Sequence, residues 1–154
     1  MKNRKFVPIL ESDLVAYLYH LMILCGVRPS LIHINSRVVS LEIDEKIDIV
    51  VGEVEEMCGK RLVKPHLAIE VKAFFRDFSH QQCWRGFTDL VGDLEKLGKI
   101  KCEHKYVVIL DERKYLQGSY KNEKRRNVLE QIRNSLAQDV KIIVITSEYT
   151  PESL

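Results

Sequence analysis

Residues 66–75 read HLAIEVKAFF. The run is apolar and long enough for a strand, yet Glu70 and Lys72 interrupt it near the middle. Side chains alternate along a strand. Leu67, Ile69, Val71 and Ala73 therefore share one face, and Ala68, Glu70, Lys72 and Phe74 share the other. Glu70 and Lys72 point the same way, about 7 Å apart at the usual strand rise. A strand covered on both faces is expected to be apolar throughout, so two charges on one face call for a reason.

Residues 47–52, IDIVVG, repeat the pattern: Ile47, Ile49 and Val51 on one face, Asp48 and Val50 on the other. If the two strands pair, Asp48 sits beside Glu70, and two carboxylates and an ammonium converge on an otherwise apolar sheet. Buried lone charges are costly and neighbouring carboxylates repel. A divalent cation relieves both problems, and carboxylates with backbone carbonyls and waters suit magnesium or manganese. The lysine can orient or help deprotonate a water, or stabilise the anion that forms. Phosphodiester hydrolysis needs neutralised phosphoryl oxygens, an aligned water and a stabilised leaving oxygen. Glycoside hydrolysis also pairs carboxylates but has less need of a lysine two residues away. The plainer alternatives are a Glu70–Lys72 salt bridge on a solvent-facing strand, which the flanking apolar run argues against, and an edge or turn carboxylate at Asp48. Asp44 competes with Asp48 but falls in the Asp44-Glu45 turn, where aspartate is common.

The remaining elements follow from periodicity. Residues 11–25 read as a helix with Leu14, Val15, Leu18, Leu21, Met22 and Cys25 at helical spacing. Ser12 or Asp13 can cap it and Gly26 can end it; Tyr17, Ile23 and Leu24 add apolar surface, so the helix is expected to be well covered. A strand is predicted over 33–43, a charged loop or extended hairpin tip over 53–65 ending at Pro65, a helix over 79–98 and a strand over 105–110. A helix over 120–137 and a strand over 140–145 complete the order, with a frayed tail after Ser147. The helix over 79–98 carries an apolar stripe of Cys83, Phe87, Leu90, Val91, Leu94 and Leu97 and a polar row of Gln82, Arg85 and Asp89. The order α-β-β-β-α-β-α-β predicts one α/β domain over residues 1–154, a central mixed sheet flanked by helices.

Composition agrees with that size and class. The chain has 154 residues, 45% hydrophobic and 30% charged, as in ordinary globular domains. A net charge of +2 neither announces nor excludes a nucleic-acid partner. The longest apolar stretch, 14–25, is too short for a bilayer span. Cys25, Cys58, Cys83 and Cys102 form no CxxC pair, so reduced thiols in a cytoplasmic protein are the expectation. No GxGxxG or GxxxxGK[ST] loop supports a small-ligand domain.

Asp48 within IDIVV, the AIEVK stretch of 68–72 and the element order over residues 10–111 together resemble the PD-(D/E)xK nuclease superfamily, the restriction-endonuclease-like fold. Ile47 stands where many members have proline. The resemblance implies a metal-dependent nuclease acting on DNA more than RNA, with Mg2+ or Mn2+ as cofactor and products carrying a 5′-phosphate and a 3′-hydroxyl. It implies Asp48 and Glu70 as metal ligands, Lys72 as the catalytic lysine and the Val71 backbone carbonyl as a further ligand. Glu11 on the first helix would join the metal site, although a first-turn glutamate also suits the helix dipole. Gln81 or Gln82 would fill a glutamine position used in some branches, and a homodimer fits a small nuclease that cuts two strands. Arg85 is a candidate for a phosphate contact. The basic cluster Lys121, Lys124, Arg125 and Arg126 opposes the dipole at its helix start, and nucleic-acid backbone would give it a use. The rival from another class is a catalytically silent subunit of this fold that binds nucleic acid or a protein partner.

Overall fold

The computed structural model describes residues 8, 10–39, 45–117, 119–146 and, for the backbone, 151–153. Asp44 and the predicted strand beyond residue 39 lie outside the described residues. The elements run α1 (Glu11–Leu24), a 3-10 turn (Pro29–Leu31), β1 (Ile32–Ser36), β2 (Ile47–Met57), β3 (Lys60–Phe74), α2 (His80–Gly98), β4 (His104–Asp111), α3 (Tyr120–Leu136), β5 (Val140–Thr146) and β6 (Pro151–Ser153). The molecule is thus an α/β protein with one mixed sheet, its six strands lying side by side in chain order. β1, β2 and β3 pair antiparallel, β3, β4 and β5 pair parallel through the α2 and α3 crossovers, and β6 adds antiparallel. The tail therefore supplies a short strand where fraying was expected.

Helices cover both faces. On one face α2 and α3 pack over Val50, Ala68, Phe74, Val107, Ile109, Ile142 and Val144, with Leu90, Leu94, Leu97 and Leu129 fully buried. On the other face α1 is the one helix among the described residues that covers Ile49, Ile69, Val71, Ala73, Val108 and Leu110. One helix cannot be enclosed by a sheet it merely lies upon. Only Leu14 and Val15 of α1 are buried, and Leu24 is 68% exposed, so α1 is less covered than its apolar sequence predicts. Ile47, expected beside Ile49, instead joins the core beneath α2 from the first position of β2.

Of the two readings of 53–65, loop or extended hairpin tip, the hairpin holds. β2 and β3 continue as paired arms to a two-residue turn at Cys58 and Gly59, both at positive φ (52° and 73°), the conformation a tight hairpin of this length favours. The register shifts between Val51 and Gly52. A Cβ on Gly52 would lie 2.0 Å from the Lys64 carbonyl oxygen, so only glycine allows this approach. Pro65 sits opposite, where the bulge excuses its missing N–H. The first predicted strand also ends early, at Ser36, after which Val38 makes only an isolated bridge to Val63.

Candidate active site

β3 is the central strand that carries the site. Its register with β2 pairs Ile49 with Ile69, and one further step sets Asp48 against Glu70. β2 begins at Ile47, so beyond that point β3 has no strand on this side among the described residues, and its amides there find other acceptors. Two carboxylates supply them. Asp48 Oδ2 accepts from the Val71 N–H at 2.8 Å, and Glu11 Oε2 accepts from the Ala73 N–H at 2.8 Å. Glu11 reaches the site from the first turn of α1, so Glu11, Asp48, Glu70 and Lys72 come together.

α2 closes the other side with two residues that sequence reasoning missed. Asp93 Oδ2 lies 3.5 Å from Lys72 Nζ, and Lys72 Nζ lies 3.8 Å from Glu11 Oε2. Lys96 Nζ ion-pairs with Glu70 Oε1, lies 3.4 Å from Asp93 Oδ1 and donates to the Lys46 carbonyl at 2.9 Å. The signal was present: Asp93 and Lys96 extend the polar row Gln82, Arg85 and Asp89 by steps of four and three. Which strand residues that row would meet depends on how the crossover docks, and no local pattern encodes that.

The electrostatics are those of crowded acids. Glu70 is 2% exposed. Burial first, then the charges of Asp48 and Asp93, push its carboxyl up to about 9, and Lys96 only partly offsets them. Burial likewise raises Glu11 and Asp93 against the pull of Lys72. Burial lowers Lys72, but the carboxylates of Asp93, Glu11, Asp89 and Asp48 outweigh it and the ammonium ends up raised. Lys96 is raised in the same way, against burial, by Glu70 and Asp93.

The donors suit a hard divalent cation, being carboxylate oxygens in excess of the positive charge that faces them. Glu70 Oε1 is buried, and among the described residues the Lys96 ammonium is the ion-pair partner that answers it. Among the described residues no group of three His, Cys, Asp or Glu side chains is placed to hold a metal ion. Positive charge beside Glu70 and Asp93 comes from Lys96.

Two clefts meet at Lys72. One, about 500 Å3, is bounded by Glu11, Phe75, Phe78, Gln82, Arg85 and Asp89. The other, about 480 Å3, is bounded by Lys46, Asp89, Asp93 and Lys96. Arg85 and Gln82 thus border the site, although Gln82 Oε1 also accepts from the Ser79 N–H at 2.8 Å and caps α2. Gln81 is exposed and lines neither cleft. The basic cluster is divided by its contacts. Arg125 stacks over the Tyr115 ring at 3.6 Å and bonds to the Tyr115 carbonyl and Asn122 Oδ1, a local structural use. Lys124 lies over Tyr120 at 4.7 Å, Lys121 is exposed and Arg126 is half-buried. Neither Lys121 nor Arg126 borders either cleft at Lys72. No helix among the described residues is long and apolar enough to cross a membrane.

No family model matches this chain, no curated protein matches it and no solved structure matches it. The functional reading therefore rests on the residues themselves.

Proposed function

We propose that this protein is a divalent-metal-dependent nuclease of restriction-endonuclease-like fold that hydrolyses phosphodiester bonds, in DNA more than in RNA. The observation that carries the reading is the buried Glu70, crowded by Asp48 and Asp93 at the strand end where Lys72 emerges. Isolated acids would not be packed this way for stability alone, because their repulsion works against folding. Asp48 and Glu70 would hold Mg2+ or Mn2+, with the Val71 carbonyl beside them and Glu11 and Asp93 next in reach. When bound, such a cation supplies positive charge to phosphoryl oxygens and acidity to a water. Lys72, kept protonated by the surrounding carboxylates, would orient the attacking water and neutralise charge on the phosphate. Arg85 would meet the nucleic acid from the cleft wall. Pairing of two copies to cut both strands of a duplex belongs to the same proposal.

The test is cleavage of labelled single-stranded, double-stranded and branched DNA and of RNA, with manganese or magnesium against EDTA. Metal-dependent cutting that Lys72→Ala and Asp48→Asn each reduce at least a hundredfold is the expected outcome. One observation favours the second reading, a catalytically silent subunit that binds nucleic acid or a protein partner: Lys96 already answers Glu70, and an amide already occupies one oxygen of Asp48. No cutting of any substrate by folded, metal-supplemented protein selects that reading.

A further inference from the structure

The cleft between α1 and α2 is built unlike a phosphate track. Its floor is aromatic: Phe75 and Phe78 meet edge to face with ring centroids 5.2 Å apart. Leu10, 61% exposed, forms an apolar lip. Gly86 forms part of the α2 wall; a Cβ there would already lie 3.2 Å from the Phe74 ring and 4.0 Å from the Lys72 side chain, so glycine keeps the cleft open beside the lysine. The polar groups at the rim are mixed, with Arg85 and Gln82 as donors and Asp89 and Glu11 as acceptors. Two carboxylates repel a run of phosphates, whereas a flat heteroaromatic ring with amino and carbonyl edges matches an aromatic floor and a rim of both polarities. At about 500 Å3 the cleft has the size of a small-ligand pocket.

We propose that this cleft takes one unstacked nucleobase next to the phosphate at Lys72, so that the preferred substrate is single-stranded nucleic acid or an unpaired end or branch of a duplex. The base lies against Phe78, and Arg85 and Asp89 face its edges. In an intact duplex the bases are stacked away from the backbone, and filling the cleft requires the work of unstacking one. The inference deepens the nuclease reading and rests on it for the position of the phosphate, but binding itself needs no metal and no cleavage.

The experiment exploits that separation. Fluorescently labelled 15-nucleotide DNA of mixed sequence, the RNA of the same sequence and the matching blunt DNA duplex are titrated with the full chain in EDTA, read by anisotropy. Single strands are expected to bind at least tenfold more tightly than the duplex. Phe78→Ala is expected to weaken single-strand binding about tenfold, the effect of losing one base–aromatic stack, while leaving duplex binding unchanged; Phe78→Trp is expected to restore it. DNA and RNA single strands are expected to respond alike, because a stacked base presents the same face on either sugar. Equal affinity for duplex and single strand overturns the proposal. So does a Phe78→Ala effect shared equally by both, or one that Phe78→Trp fails to restore in a variant with wild-type circular dichroism. Single-strand binding with no metal-dependent cutting retains the cleft and refutes the nuclease. Cutting of intact duplex without single-strand preference does the reverse.

Discussion

Glu70 governs how this site responds to pH. Its folded carboxyl titrates near 9, against an ordinary value of 4.5. The folded protein therefore binds this proton more tightly than the unfolded chain does. The group's contribution to stability is fully present below about pH 4.5 and is lost as pH rises towards 9. In EDTA, urea denaturation is expected to show stability falling between pH 6 and 9, and Glu70→Gln is expected to flatten that slope. An unchanged slope in the variant would show that Glu70 is not the group responsible. Lys72 and Lys96 act in the same sense at higher pH: both are raised above 10.5, so the stability they add is present below that value and is lost as pH rises beyond it. Lys105 is a different kind of buried charge. It is 3% exposed and donates to the Ile100 carbonyl at 3.0 Å while pairing with Asp139 at 2.6 Å. Lys105→Ala leaves that carbonyl unanswered and is expected to cost about 1–3 kcal/mol in urea denaturation, with no effect on nucleic-acid binding.

Strands and helices differ in how much of themselves they wrote into the sequence. β3, α2 and β4 were legible because burial on defined faces imposes a period, and Ser79 and Gln82 do form the reciprocal cap that opens α2. The Asp48–Glu70 juxtaposition was legible for the same reason, since two alternating strands joined in succession tend to pair. The hairpin arm was legible only as one of two alternatives. Its residues 53–57 and 60–62 are mostly exposed, so no apolar face marks the alternation, and Pro65 reads as a terminator until the bulge opposite it is known. Asp93 and Lys96 were missed because a helix declares its own polar row but not the strand it will cover. The turn offers a direct check: Gly59→Val places a β-branched residue at φ 73° and is expected to destabilise by about 1–2 kcal/mol in thermal or urea melts. An unaltered melt would mean that the arm re-forms around a different turn.

Taken as one cooperative unit, the protein is unevenly braced. β3 and β4 lie between two helical layers, whereas the arm formed by the outer halves of β2 and β3 stands largely in solvent. Amide hydrogen exchange is expected to be slowest over residues 67–73 and 106–110 and at least a hundredfold faster over 53–57 and 60–64. Uniform protection along both segments would show that the arm is covered in solution, as pairing of two copies through it would require.

The acceptors on Val71 and Ala73 carry a consequence for self-assembly. Past the end of β2, the middle of the sheet presents, among the described residues, a stretch of strand edge with no neighbouring strand, the type of template on which a foreign β-segment can add. Asp48 and Glu11 act there as a stopper made of side chains rather than of chain. Removing both acceptors uncovers that template, and such a protein is expected to form thioflavin-positive aggregates where the Asp48→Asn form, which keeps an amide oxygen for Val71, stays dispersed.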